Sequence, residues 1–296
     1  MLIPRHWFSL FLLLIVTPAV AYADLSSSQA RKAIQSMGGI ALPSDSVRVQ
    51  QVRSSSEGAE ATAELQLVFR ATQHDGRWRL SEVRTAPDRW ERLDFIAQAA
   101  KLELAADNCD APSEFARTVD AQELTTKRAR CLVAALFGVT LPSDDVRVRE
   151  VSPFGLSIGS SDATALIGTL VQMDFRLARD QRGWQVASIK SGNRDWVDAR
   201  DMAASIDQLK RSSASADLSE IAQALDSFHR DRGSFVVSDK ESVLIDHLSP
   251  RYLTRVIRVD PWHRPYQYEG QQTQYSLRSL GPDGKPNTGD DIVVKN

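Results

Sequence analysis

Apolar and polar side chains follow the same order twice along the first two thirds of the chain. From Ala63 to Phe69 apolar residues alternate with polar ones, as in a strand with one buried face, and Thr169–Phe175 repeats this alternation. A short amphipathic helix is predicted before each strand, with this apolar stripe: Ala33, Ile34 and Met37 in the first copy, and Leu132, Val133 and Leu136 in the second. The pattern predicts an α+β fold with two tandem copies of a small module, each packing helices on one face of an antiparallel sheet.

Sequence motifs align the two copies. The stretch Leu42–Val52 reads LPSDSVRVQQV and matches LPSDDVRVREV at Leu141–Val151, which begins 99 residues later. Further along, the offset is 106 residues, as shown by two tryptophan pairs with the same 12-residue spacing: Trp78 and Trp90, and Trp184 and Trp196. The difference predicts a seven-residue insertion within Pro153–Asp162, where Gly and Ser are typical of a surface connection. Tight hairpin turns are predicted at Asp75-Gly76 and at Asp180–Gly183.

A helix is predicted to close each copy, over Glu91–Ala106 in the first and from about Val197 in the second. In the second copy the apolar stripe continues through these residues: Met202, Ile206, Leu209, Ile221, Leu225 and Phe228. The intervening Ser212–Ala216 contains only Ser and Ala, which suits either a continuous helix or a flexible linker. A single helix from about Val197 to Arg230, ended by Gly233, is the favoured interpretation.

The C-terminal stretch combines aromatic alternation with an acidic loop. Tyr266, Tyr268, Tyr275 and Leu277 predict two short strands joined by a turn at Glu269–Gln272. After Leu280 the apolar residues stop, and a loop with several glycines and prolines follows. This loop carries three carboxylates: Asp283, Asp290 and Asp291. Carboxylate and carbonyl oxygens from one loop can surround a hard cation, and calcium is favoured because it accepts six to eight oxygens in irregular geometry. An ordinary surface turn rich in Gly and Asp is the alternative.

Several motifs follow one another in this region: Asp260-Pro261-Trp262, Pro265-Tyr266-x-Tyr268, Ser279-Leu280-Gly281-x-Asp283-Gly284 and Asp290-Asp291-Ile292. In this order and at this spacing they resemble the C-terminal half of the major pseudopilin of type II secretion. The resemblance covers about Asp217–Ile292, roughly a quarter of the chain. It implies a pilin-like domain with a long helix packed on a short antiparallel sheet, and a structural calcium ion in the last loop.

Carried over residue by residue, the resemblance also implies the calcium ligands. Side-chain oxygens would come from four residues and backbone carbonyls from two: Asp283, Asp290, Asp291 and Thr288, and Leu280 and Lys285. One departure from the family concerns His263 and Arg264, which stand where glycine and asparagine are common. This departure affects the turn before Pro265 and leaves the aspartates unchanged.

Composition and motifs argue against several classes of function. Lys and Arg number 36 and Asp and Glu 38, so a net charge of -2 gives no reason to expect binding to nucleic acid or to an anionic membrane. The sequence has no H-E-x-x-H, phosphate-loop or dinucleotide motif, and none of its five histidines pairs with a second ligand at zinc spacing. The chain is therefore predicted not to be an enzyme, and structural Ca²⁺ is the cofactor expected.

The N-terminus predicts export. Arg5 precedes the apolar run Trp7–Val16, and the small-residue pattern Ala21-Tyr22-Ala23 follows, as in a signal peptide cut after Ala23. An uncleaved anchor is the alternative, but the run is short for a bilayer, so no stable membrane anchor is expected after cleavage. In an exported protein the two cysteines, Cys109 and Cys131, predict one disulfide, with two buried free thiols as the alternative.

These patterns predict a signal peptide at residues 1–23, repeats at 24–108 and 109–212, and a calcium-binding pseudopilin-like domain at 213–296. The resemblance implies a periplasmic or extracellular, non-enzymatic accessory or structural component of protein secretion, with other proteins of a secretion or pilus-like assembly as partners. A pseudopilin has an apolar stem of about 20 residues, and nothing before Asp217 supplies one, so polymerisation by the usual route is not expected. The alternative is an extracytoplasmic module that binds a peptide or glycan, with the calcium domain as a structural cap.

Overall fold

The computed structural model describes residues 24–55, 58–74, 77–102, 109, 124–153 and 163–296. Its helices are α1 Ser27–Gln35, α2 Leu93–Ala99, α3 Thr126–Phe137, α4 Ala199–Arg232 and α5 Glu241–Leu248. Its strands are β1 Val47–Ser55, β2 Gly58–His74, β3 Arg77–Ala86, β4 Arg89–Arg92, β5 Val146–Pro153, β6 Ala163–Asp180, β7 Gly183–Ser191, β8 Val197–Asp198, β9 Gln267–Gly270, β10 Tyr275–Ser279 and β11 Ile292–Lys295. No helix in these ranges combines the length and the apolar character that crossing a membrane requires. The predicted signal peptide, residues 1–23, lies outside the described residues.

The two copies contain the same elements in the same order, and the predicted α+β class is confirmed. The first copy runs α1, β1 to β4 and α2, and the second runs α3, β5 to β8 and α4. The starting helices carry side-chain caps, since Ser26 accepts from the backbone N–H of Gln29 and Thr125 accepts from that of Arg128. Gly138 ends α3 in the left-handed conformation, which glycine adopts without strain.

Both copies contribute to one eight-stranded sheet. Its path is β4-β3-β2-β6-β7-β8, with β1 added beside β2 and β5 added beside β6. The long strands β2 and β6 therefore lie side by side in the middle, and each also pairs with two shorter strands of its own copy. The repeats do not form separate sheets, because their longest strands pair antiparallel from Ala59↔Leu177 to Thr72↔Thr164.

The register of the central pair gives the sheet an internal two-fold axis. Leu65 pairs with Val171, and Val171 is also the residue that stands 106 positions after Leu65. The bulges obey the same symmetry. Register shifts occur at Val49/Gln51 and Arg70/Ala71 in the first copy, and at Val148/Glu150 and Arg176/Leu177 in the second. A bulge bends a strand locally, so its repetition means that the two copies share the same strand curvature.

The tryptophan pairs lie at matching places in the two copies. Trp78 lies in β3 and Trp184 in β7, and Trp78 is fully buried in the core. Trp90 stacks under the guanidinium of Arg70 with a carbon-to-centroid distance of 4.2 Å, and Trp196 stacks under Arg176 at 4.1 Å. Since Arg176 stands 106 residues after Arg70, the cation–π contact is duplicated as well.

Some boundaries differ from the sequence prediction. The helix predicted over Glu91–Ala106 is shorter, because Glu91 and Arg92 belong to β4 and α2 ends at Ala99, followed by Lys101 with a φ of 53°. The turn predicted at Glu269–Gln272 lies further on, because Glu269 and Gly270 still pair with Ser276 and Tyr275. The hairpin at Asp75-Gly76, the remainder of the insertion after Pro153 and residues 103–106 lie outside the described residues.

Apolar side chains gather in two clusters that share one helix. The first cluster spans both repeats from Leu25 to Ile206, and the second runs from Leu218 to Leu277. Helix α4 contributes Ala199, Met202 and Ile206 to the first and its later residues to the second, without a break between them. The continuous helix is confirmed, because Ser212–Ala216 lies inside α4 and does not form a separate linker. The division of the chain at residues 108 and 212 stays a prediction, and its second boundary falls within α4.

Replacing Cys131 with serine is expected to lower the free energy of unfolding by about 3 kcal/mol, because the Cys109–Cys131 bond closes the chain over 22 residues. Urea unfolding of the oxidised protein and the variant measures the loss. The reduced wild type is the matched control and should unfold like the variant. Thiol labelling of both cysteines in the unreduced, denatured protein would contradict this prediction.

Candidate metal centre

The acidic loop connects two neighbouring strands of a three-stranded sheet. This sheet has the order β11-β10-β9, and its residues Leu277, Tyr275 and Tyr268 pack in the second apolar cluster with α4 and α5. Ser279 at the end of β10 pairs with Ile292 at the start of β11. The pairing closes the base of the loop, so residues 280–291 form a compact surface loop held at both ends.

Three oxygens converge on the hydroxyl of Thr288 in this loop. Thr288 Oγ1 lies 2.6 Å from Oδ1 of Asp290, 3.1 Å from the carbonyl oxygen of Lys285 and 3.4 Å from Oδ1 of Asp283. A hydroxyl has one proton to donate, so it cannot satisfy three acceptors at once. Four of the six predicted ligands therefore lie together, with more oxygen acceptors than donors between them.

Asp291, the third aspartate of the loop, has a buried side chain, and its backbone N–H donates to the carbonyl oxygen of Thr288 at 3.4 Å. Its side chain is 6% exposed, and its Oδ2 accepts from the backbone N–H of Asn287 at 2.8 Å and lies 3.3 Å from the Arg278 guanidinium. Its other oxygen, Oδ1, is buried without a hydrogen-bond partner. A buried carboxylate oxygen without a partner is costly unless a donor or a cation reaches it. This oxygen is the feature of the loop that best fits a bound cation.

The loop also favours the charged form of Asp290. Hydrogen bonds from the Thr288 hydroxyl and the backbone N–H of Asp283 hold the pKa of the Asp290 carboxyl below its ordinary value. Leu280 stands directly after β10, where its carbonyl belongs to the same loop. Among the described residues, no three His, Cys, Asp or Glu side chains converge closely enough to bind a metal by themselves. A metal here would therefore also need the hydroxyl and carbonyl oxygens.

Three arginines surround the loop, and the sequence pattern does not indicate that they support it. Arg264 donates to the carbonyl oxygens of Gly281 and Pro282, the latter at 3.0 Å. Arg211, on α4, donates to the carbonyl oxygen of Asp290 at 3.3 Å. Arg278 contacts Asp291 and donates to the side-chain oxygen of Asn287 at 2.9 Å. Arg278 is thus paired with a loop carboxylate, whereas Arg264 and Arg211 hold the loop through its backbone carbonyl oxygens.

The turn that carries Arg264 is well formed despite its departure from the family pattern. Oδ1 of Asp260 accepts from the backbone N–H groups of Trp262 at 3.0 Å and Arg264 at 2.9 Å. Oδ2 of Asp260 accepts from the buried hydroxyl of Ser279 at 2.6 Å, which ties the turn to β10. His263 takes a φ of 66°, so it occupies the left-handed conformation for which glycine or asparagine is better suited.

A buried charge cluster joins this turn to the first repeat. Oε2 of Glu91 lies 2.6 Å from Nζ of Lys210 on α4, and Oε1 lies 3.2 Å from Nε2 of His263. The side chains of Lys210 and Glu91 are 8% and 14% exposed. Burial by itself would raise the pKa of the Glu91 carboxyl, but hydrogen bonds to His263 and Lys210 outweigh it and hold this pKa below its ordinary value. The pseudopilin-like region thus rests on the repeats through an ion-paired contact.

The C-terminal region matches known proteins of type II secretion. Residues 201–296 match a family model described as type II secretion system (T2SS), protein G. The chain is also similar to the crystal structure of the major pseudopilin from the type 2 secretion system of enterohaemorrhagic Escherichia coli. The identity is 28%, the alignment covers 29% of this chain and 87% of that chain, and the TM-score is 0.21. A comparison with curated proteins finds no match.

The family match confirms the resemblance that the C-terminal motifs predicted. It begins within α4, before the predicted start at Asp217, so the long helix belongs to the matched region. The chain therefore carries a pseudopilin-like domain at its C-terminal end, behind a duplicated α+β region that the family model does not cover.

Proposed function

We propose that the pseudopilin-like domain binds one structural calcium ion, and that the chain is an exported, non-enzymatic accessory or structural component linked to type II secretion. Two observations of the same loop carry the calcium proposal: oxygens from Asp283, Lys285 and Asp290 converge on Thr288, and one carboxylate oxygen of Asp291 is buried without a hydrogen-bond partner. The match to a secretion family supports the link to secretion and a location outside the cytoplasm.

The residues of the loop fit a calcium ion by their chemistry. Asp283, Asp290 and Asp291 would supply carboxylate oxygens, and Thr288 its hydroxyl. Leu280 and Lys285 would supply backbone carbonyls, which completes a set of hard oxygen donors of the kind calcium accepts. The ion would supply positive charge among these oxygens, and the surrounding residues would hold the loop against the end of β10.

The packing of α4 favours an accessory role over assembly through this helix. Ala199, Met202 and Ile206 are buried against the repeats, so the apolar stripe at the start of the helix already has a partner within the chain. This stripe is not free to pack against helices of other copies. We therefore expect the chain to associate with secretion proteins through its outer surfaces.

Calcium would bind only the folded loop, so at a hundredfold excess over its Kd it is expected to stabilise the domain by about 3 kcal/mol. Removing the ion should abolish this stabilisation. Thermal melts of the full chain with calcium and with a chelator measure the difference. Asp290→Ala should lower the melting temperature and remove the response to calcium. Asp239→Ala is the matched control, since Asp239 is an exposed acid of the same domain outside the loop.

Magnesium should substitute poorly for calcium, because it requires octahedral geometry and dehydrates reluctantly. An unchanged melt, together with no heat of calcium binding in calorimetry, would leave the loop as an ordinary turn. Co-purification of secretion-system components with the tagged chain tests the wider assignment separately. If no secretion-system component co-purifies with the chain, this result would count against a role in secretion without affecting the calcium proposal.

A second candidate function concerns the duplicated region, which would bind a peptide or glycan. A polar groove of about 380 Å³ favours it, because the aligned motifs of both copies line this groove near the internal two-fold axis. The first copy contributes Asp45 and Arg48, and the second contributes Asp144 and Arg147. Binding of peptide or polysaccharide arrays, lost on combined replacement of both arginines by glutamine, would support this candidate.

A further inference from the structure

Arg264 holds the backbone that supports the acidic loop. Its guanidinium donates to two successive carbonyl groups, those of Gly281 and Pro282, and it packs against Gly284 so closely that a Cβ there would meet Cζ at 2.6 Å. Such a fork of donors fixes both the position and the orientation of the chain it contacts. The entry to the loop is therefore set by a side chain from outside the loop.

The held backbone lies directly against a predicted calcium ligand. A Cβ on Gly281 would come within 2.4 Å of the carbonyl oxygen of Asp290 and within 2.8 Å of its Oδ2. Asp290 is thus positioned by contact with Gly281, and Gly281 is positioned by Arg264. The carboxylate of Asp290 also accepts from the backbone N–H of Asp283 at 3.1 Å, which transmits the same constraint to the second acid.

The residue next to Arg264 contacts the first repeat. His263 reaches Glu91, which is also paired with Lys210, while Arg211 on the following position of α4 contacts the carbonyl of Asp290. The loop is therefore linked to the repeats by two routes, one through the turn and one through the helix. Both routes cross the junction between the two apolar clusters.

We infer that Arg264 is the positioning residue of the calcium loop, and that the calcium affinity of the loop depends on the seating of the domain against the repeats through His263 and Glu91. This inference rests on the proposed calcium function. Coupling between two sites is reciprocal, so calcium must in turn strengthen the junction. Through this coupling, the first repeat would change the calcium affinity of a site to which it contributes no ligand.

Calorimetric titration of the full chain with CaCl₂ tests the inference. Arg264→Gln is expected to weaken calcium binding about tenfold, within the range typical of coupled sites, and Arg264→Lys should recover part of the loss. His263→Asn keeps a residue that tolerates the left-handed conformation and removes the contact with Glu91, so it should weaken binding several-fold. Arg182→Gln is the matched control, because Arg182 is 84% exposed in the distant β6–β7 hairpin.

Hydrogen exchange supplies a readout of the coupling that a purely structural role of His263 would not alter. Calcium should slow amide exchange at Lys210–Ser213 in the wild type and have no such effect in His263→Asn. No heat from calcium with the wild type would overturn the calcium proposal and this inference together. Equal Kd values for the wild type, Arg264→Gln and His263→Asn, in variants with unchanged circular dichroism, would overturn the inference alone.

Discussion

Replacing Ser215 with proline is expected to lower the free energy of unfolding by about 3 kcal/mol or more, because proline in a helix interior removes a backbone hydrogen bond and clashes with the preceding turn. Ser215 lies near the middle of α4, on its exposed face, so the change removes no buried side chain. The ring would meet the carbonyl of Arg211, whose guanidinium also contacts the acidic loop. Urea unfolding monitored by far-ultraviolet circular dichroism measures the effect.

Ser215→Ala is the matched control and should change stability by less than about 0.5 kcal/mol, because alanine is a good helix former. Since α4 connects both apolar clusters, a break at Ser215 should also separate one unfolding transition into two. A proline variant as stable as the alanine variant would contradict the continuous helix. In that case the Ser and Ala run would act as the linker that its composition also allows.

The duplication was predictable from the sequence, but the shared sheet was not. The 12-residue tryptophan spacing and the alternation around Leu65 and Val171 define equivalent strands. Each strand alternates in the same way whether its neighbour belongs to its own copy or to the other. The pairing of β2 with β6 joins residues up to 118 positions apart, and no local pattern specifies such a contact.

The closeness of the predicted loop residues to one another was easier to foresee from the sequence than the residues that support the loop. Asp283, Thr288 and Asp290 lie within eight residues, so local spacing alone brings them together. The supporting arginines come from α4, from β10 and from the turn before Pro265. Arg264 was visible only as a departure from the family pattern, and its two carbonyl contacts arise from tertiary packing.

The junction between repeats and domain was also invisible in the sequence, for the same physical reason. Glu91 is an acid in a polar stretch, and Lys210 reads as an exposed position of an amphipathic helix. Their contact depends on how α4 packs against the first repeat, which side-chain periodicity does not determine. A buried ion pair forms there because each charge would otherwise be left without a partner.

Replacing Lys210 with alanine is expected to destabilise the protein by about 3–5 kcal/mol, because it leaves the buried Glu91 carboxylate without its closest cation. The Nζ–Oε2 distance is 2.6 Å and both side chains are more than four-fifths buried, so solvent cannot replace the lost contact. His263 would still contact Glu91, but its imidazole is charged only when protonated. Urea unfolding at neutral pH measures the loss.

The pH dependence of the free energy of unfolding distinguishes the effect of an unpaired buried charge from the effect of lost packing. In the wild type the pKa of Glu91 is lowered by folding, so its ion pair stabilises the fold at neutral pH and this contribution disappears as the pH falls through that pKa. In Lys210→Ala the Glu91 carboxylate has lost the cation that offset its burial, and protonation of this carboxylate relieves the cost. The gap in stability between wild type and variant should therefore shrink towards acid pH.

The double variant Lys210→Met with Glu91→Leu should recover most of the stability at neutral pH, since an apolar pair needs no partner charges. A gap that does not change with pH, or a double variant no more stable than Lys210→Ala, would show that the charges at this junction do not hold the domain on the repeats.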